Sequence, residues 1–209
     1  MVFNALHKNK IKNNDNVITS LIIEGQSKIG YISLPSFYQN FEESSIKGCA
    51  NDFAKEKFKL KKDSIKGLVI DLRFNGGGSL KEATDLAGIF IDVGILGFIK
   101  GQSNPPYLIK DFNRGRAYSG PLVVMINGAS ASASEVFAGT LQDYNRAIIV
   151  GNKSFGKSTG QTVLPLDTTL WSIASTSNSG ILIEDYIKVT NGKLYHVNQR
   201  NHQIKGINP

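Results

Sequence analysis

Three serines at alternate positions in NGASASASE, Ser130, Ser132 and Ser134, stand where an apolar run ends and a helical pattern begins. A helix N-terminus leaves N–H groups unpaired and carries partial positive charge, so a nucleophile is exposed and an oxyanion stabilised there. The same serines also suit ordinary helix caps, and this fragment alone does not separate the two roles. A serine attacks only if a base removes its proton. The three histidines, His7, His196 and His202, all lie in polar terminal stretches, away from the expected α/β core. The more economical base is a lysine of NKSFGKSTGQ, either Lys153 or, better placed between a glycine and a β-rich run, Lys157. An ordinary lysine, with a pKa of ~10.4, is no base at neutral pH, so apolar strands must bury it. If the following segment is extended, Lys157, Thr159 and Gln161 share a face, and Gln161 is expected to hold the amine.

A second glycine-rich element, DLRFNGGG, follows another apolar run. Its glycines make either a tight turn or a loop whose backbone approaches a substrate carbonyl. In the second case an N–H of Gly77 or Gly78 joins that of Ala133 as a pair of oxyanion donors. One rival motif overlaps the lysine: GNKSFGKS, residues 151–158, fits the phosphate-binding pattern G-x-x-x-x-G-K-[ST]. That pattern requires a helix to begin at the Lys-Ser pair. Gly160, two β-branched residues and Pro165 disfavour one, an interior proline alone costing about 3 kcal/mol.

Positioning these groups requires particular elements. Residues 1–16 read as a polar arm, and residues 17–209 as one core. Ile18–Ile23 and Ile29–Leu34 form a hairpin about a glycine turn, and a helical stretch runs on to about Lys62. GLVIDLRF is a strand buried on both faces, followed by the glycine loop and a helix over Leu80–Ile91. The grammar repeats as a strand over Pro121–Ile126, a small-residue loop, a helix over Ser134–Tyr144 and a strand over Ala147–Val150. Alternating strands and helices predict an α/β fold. Gly101–Ser119, with Pro105 and Pro106, reads as a surface excursion. Thr162–Leu166, Leu170–Ser175 and Ile181–Val189 are β-rich.

The net charge of +7 raises an acidic partner, but the excess sits at His7–Lys12 and Lys55–Lys66. There lysines alternate with Phe58, Leu60 and Ile65, as on the solvated face of a helix. No nucleic acid is expected as a partner. No apolar run reaches the ~18 residues of a membrane span, and no signal peptide opens the chain. The single Cys49 is expected to be a small buried apolar residue.

Taken together, DLRFNGGGSL, GPLVVMINGASASASEVFAGTLQDYNRAIIVG and SFGKSTGQ resemble the C-terminal processing, or tail-specific, serine peptidases, from about Lys28 to the end. The resemblance implies a crotonase-like (ClpP/crotonase-type) α/β core of repeated strand-loop-helix units with additional β-strands. It further implies a Ser-Lys dyad that needs no cofactor, and polypeptide substrates recognised through apolar C-terminal tails. The family's nucleophile falls on Ser132, its lysine on Lys157 and its glutamine on Gln161. The implied localisation is periplasmic or in the cell envelope. Family members carry a PDZ domain ahead of this region and continue beyond its end; too few residues precede the match for such a domain, and the chain reads as truncated. Ser158 stands where the family usually has glycine, and Gly76 where many members have proline. The alternatives are a noncatalytic peptide-binding domain of the same fold and a P-loop nucleotide-binding protein.

Overall fold

The computed structural model describes residues 17–39, 48–101, 105–166 and 185–209. The expected arm 1–16, the strand over Leu170–Ser175 and the start of the one at Ile181 lie outside the described residues.

Two sheets organise the chain. The first has the order β1-β2-β3-β6-β7, comprising Thr19–Ile23, Ile29–Ser33, Gly67–Asp71, Leu122–Ile126 and Ile148–Gly151. β1 and β2 form the expected antiparallel hairpin, and β2, β3, β6 and β7 then run parallel. Their β-branched and leucine runs exist because helices cover them: Ile32, Ile70 and Val124 are wholly buried. The helices are α1 (Cys49–Lys62), α2 (Leu80–Gly88) and α3 (Ala133–Asp143). A row of rings, Phe37, Phe137, Phe90 and Phe53, joins them, with successive centroids 5.9, 6.1 and 5.6 Å apart. Such spacing suits edge-on and tilted aromatic contacts, which add about 1 kcal/mol each to the area they bury.

The first helical stretch begins only at Cys49, which is fully buried with Phe53 and Leu60. Its lysines are a solvated face: Lys55 pairs with Asp52 and Lys59 with Glu56, each three residues apart. The second helix stops at Gly88, short of Ile91, and its N-cap Ser79 accepts a hydrogen bond from the Glu82 N–H.

The second sheet corrects the sequence reading. Its order is β5-β4-β9-β8, formed by Tyr107–Asp111, Gly94–Lys100, Tyr186–Tyr195 and Thr159–Pro165, all antiparallel. The supposed surface excursion thus contributes a strand, β5, and β9 runs on to Tyr195. These strands are partly exposed, and β4 carries an irregularity between Ile95 and Gly97. No helix among the described residues is long and apolar enough to cross a membrane.

Candidate active site

The two strand-loop-helix units meet at the C-terminal ends of β3 and β6. Adjacent parallel strands deliver their loops to the same edge, so the glycine loop lies beside the serine loop. Hydrogen bonds lock the two together. Ala131 N donates to Asn75 O at 3.0 Å, Ser134 Oγ to Asn75 O at 2.8 Å, and Ser130 Oγ to Leu72 O at 2.8 Å. Ser130 and Ser134 are therefore fully buried structural groups. Ser132, half-buried at the head of α3, is the serine of the three whose hydroxyl meets the lysine.

Lys157 arrives from the loop between β7 and β8. Its Nζ lies 3.4 Å from Ser132 Oγ and 3.4 Å from Thr159 O. Such a long contact is common before substrate tightens a catalytic pair. Lys153, the other lysine considered, is exposed. Both Ser132 and Lys157 line a cavity of about 600 Å³ with Gly78, Ala133, Gln161 and the apolar Leu80, Ile99 and Leu194.

Ser132 has φ 58° and ψ −114°, a region that L-residues enter only when their surroundings force them, at a cost of about 1–3 kcal/mol. The forcing group is the glycine loop. Gly77, at φ +106°, sits so close that a Cβ on it would lie 2.9 Å from Ser132 Cβ and 2.8 Å from Ala131 O. Because glycine tolerates that backbone region, Ser132→Gly is expected to be more stable than Ser132→Ala by about 1 kcal/mol, read from denaturant midpoints at equal slope. Equal midpoints would show that the serine is not strained.

The remaining expected groups divide between the loop and the cavity. The Gly77 N–H is engaged, donating to Asn75 Oδ1 at 2.9 Å; Gly78 and Ala133 line the cavity instead. Gln161 also lines it, its Nε2 donating to the hydroxyl of Thr190, its cross-strand partner, at 3.4 Å, while the lysine amine is met by Ser132 Oγ and Thr159 O.

The phosphate-loop pattern fails on structure. Residues 152–158 are irregular and lead into strand β8, not a helix. Ser158, which would have to face a metal-bound phosphate, is buried with its hydroxyl donating to Leu194 O at 2.6 Å.

Sequence reasoning missed Glu135. It is the N3 residue of α3, where an acid reads as half of a capping box, and its Oε2 does accept the Ser132 N–H at 2.8 Å. The same oxygen also accepts the Lys157 N–H at 2.8 Å, while Oε1 accepts Gly156 N–H at 2.6 Å and Ser154 Oγ–H at 2.5 Å. One carboxylate with 1% exposure thus ties the serine to the lysine loop.

The histidines were also misplaced. His196 and His202 are buried against α3 and the lysine loop, because the chain beyond β9 folds back onto the core. Backbone bonds secure that return: Ser154 N to Ile207 O at 3.1 Å and Ile204 N to Gly156 O at 2.8 Å, with Ile207 N donating to Ser154 Oγ at 2.6 Å. Burial, with His202 and Arg200 nearby, pushes His196 down to about 4. Burial lowers His202 as well, against the opposing pull of Glu135. The ring nitrogens of both face one another and the Lys157 carbonyl, while the Ser132 hydroxyl meets Lys157 Nζ.

The chain resembles known proteins in sequence and in fold. A model of peptidase family S41 matches residues 28–209. The tail-specific protease of Haemophilus influenzae is 37% identical over 179 residues, which are 86% of this chain and 24% of that protein. The carboxy-terminal-processing protease of Bartonella bacilliformis is 38% identical over 145 residues, 69% of this chain and 32% of that one. Among solved structures, the photosystem II D1 C-terminal processing protease superposes with a TM-score of 0.70 at 27% identity, over 93% of this chain and 47% of its own. The chain therefore spans less than half the length of each of these relatives. With the family matched over most of its residues and both loops meeting at one cavity, the chain belongs to peptidase family S41.

Proposed function

We propose that residues 17–209 form the catalytic core, of the crotonase type, of a serine endopeptidase that works through a Ser132–Lys157 dyad on polypeptides recognised by their C-terminal tails. The observation that carries this reading is the 3.4 Å approach of Lys157 Nζ to the hydroxyl of a strained serine at a helix head.

Each step uses groups already adjacent. Lys157 takes the Ser132 proton as Oγ attacks the scissile carbonyl, and the oxygen of that carbonyl becomes an oxyanion. Ala133 and Gly78 line the cavity, and their N–H groups receive it. Collapse breaks the C–N bond, and the lysine's proton goes to the leaving amine. Water, deprotonated by Lys157, then attacks the acyl carbon; the C–Oγ bond breaks and Lys157 returns the proton to Ser132. Gln161 stands on the cavity wall, from which a turn of its side chain would bring it toward the amine. Leu80, Ile99 and Leu194 supply apolar wall for substrate side chains. The words "tail-specific" and "carboxy-terminal-processing" in the relatives' names support tail recognition, and the resemblance supports a place in the cell envelope.

The test is to incubate the chain and its Ser132→Ala variant with an unfolded protein ending in apolar residues and to follow cleavage by mass spectrometry. Cleavage by the parent, slowed at least about 10³-fold in the variant, is expected. Equal cleavage by both would refute the nucleophile. Binding without cleavage by the parent would favour the noncatalytic peptide-binding domain.

A further inference from the structure

Lys157 is gripped at both ends of its own backbone. Its N–H donates to Glu135, and its carbonyl lies 3.0 Å from His202 Nε2. Those two bonds fix the direction in which the lysine side chain leaves the loop. His202 Nε2 is also 3.7 Å from Glu135 Oε2, so the imidazole touches both halves of the clamp.

The partners assign the proton positions. A carbonyl only accepts, so His202 carries its hydrogen on Nε2 and presents a bare Nδ1. His196 Nε2, 2.8 Å from that Nδ1, must then be the donor. The remaining His196 Nδ1 faces Asp143 Oδ2 at 3.8 Å, a buried oxygen without a hydrogen-bond partner, while Asp143 Oδ1 receives Arg200 and Asn198. Burial holds the Asp143 carboxyl above its ordinary range, against Arg200. Gly139 makes room for this chain of groups, since a Cβ there would lie 2.2 Å from His196 Cε1. None of these groups touches the reacting atoms, and nothing in the reaction above uses them.

We propose that His202 is a positioning residue for the Ser132–Lys157 dyad, held in its Nε2–H tautomer by His196. Its effect is to keep the lysine amine within reach of the serine hydroxyl. The proposal rests on the dyad reading. A displacement of about 1 Å in a catalytic group costs up to about 100-fold in rate, so loosening one end of the clamp falls on the chemical step and not on binding.

The experiment measures acylation of the folded chain by a fluorophosphonate probe, as kinact and KI, in the parent, His202→Leu and His202→Gln. Leucine fills the space but donates nothing. The glutamine Nε2–H₂ restores a donor near the place of the imidazole Nε2. His202→Leu is expected to lower kinact roughly 10- to 100-fold with KI within about twofold, and His202→Gln to recover it to within about threefold of the parent. Gly139→Ala, which displaces the His196 ring without substituting either histidine, is expected to lower kinact at least about threefold, and serves if His202→Leu does not fold. Unchanged kinact in the leucine or alanine variant, or an equal loss in leucine and glutamine, overturns the proposal. No labelling of the parent, or equal labelling of Ser132→Ala, instead overturns the dyad reading on which it stands.

Discussion

Lys157→Met lowers kcat by about 10⁴-fold with KM within about twofold, if the amine is the base. Methionine keeps the unbranched apolar stem that packs in the half-buried site, so the loop held by Glu135 and the cavity wall should persist. What disappears is the group 3.4 Å from Ser132 Oγ. General-base catalysis contributes about 10²- to 10⁴-fold, and here the same amine also protonates the leaving group and activates the water, which places the loss at the upper end. Groups that act as a unit are not additive. The double variant Ser132→Ala/Lys157→Met should therefore be no slower than the slower single variant. A double variant slower by the product of the two effects would show the residues acting independently, and a methionine variant within tenfold of the parent would point to another base.

The second large effect falls on stability and rate together. Both oxygens of Glu135 face donors only: Ser132 N–H and Lys157 N–H on one, Gly156 N–H and Ser154 Oγ–H on the other. Glu135→Gln preserves the shape but turns one oxygen into an NH₂ that confronts two donors. Each buried donor left unpaired costs about 1–3 kcal/mol, so the variant should lose about 2–6 kcal/mol. For a chain of this size that lowers Tm by roughly 10 °C. Below that transition kcat should still fall about 100-fold, because the serine and the lysine loop share the lost anchor. Denaturant unfolding and kinetics at one temperature separate the two losses. A variant as stable as the parent would show that the carboxylate clamp carries little energy.

Local pattern carried much of this site and long-range closure carried the rest. The strand-loop-helix units were legible because doubly buried parallel strands write continuous apolar runs, as GLVID and LVVMI do. The serine fragment alone left the roles of its three hydroxyls open, and their division became visible only when both outer ones were found on carbonyls of the other loop. The second sheet was half legible: the β-rich stretches at Thr162–Leu166 and Ile181–Val189 overlap β8 and β9, whereas β4 and β5 were not anticipated and β9 is exposed along most of its length. Glu135 looked like a helix-start acid because its remaining partners lie about twenty positions later. The histidines were harder still. Forty-five positions separate His202 from the carbonyl that it meets, and a polar flanking sequence conceals a ring that is 3% exposed. Strand alternation placed Gln161 on the cavity wall, where its Nε2 donates to Thr190 across the sheet.

The crossing of the lysine loop by residues 202–207 has a consequence in time. During synthesis the serine loop and its helix emerge roughly sixty residues before the segment that braces Ser154, Gly156 and Lys157. Contacts so distant in sequence form late. On the proposed dyad, a nascent chain therefore carries its nucleophile before the lysine is held in place, and the pair is armed only after the returning segment has docked.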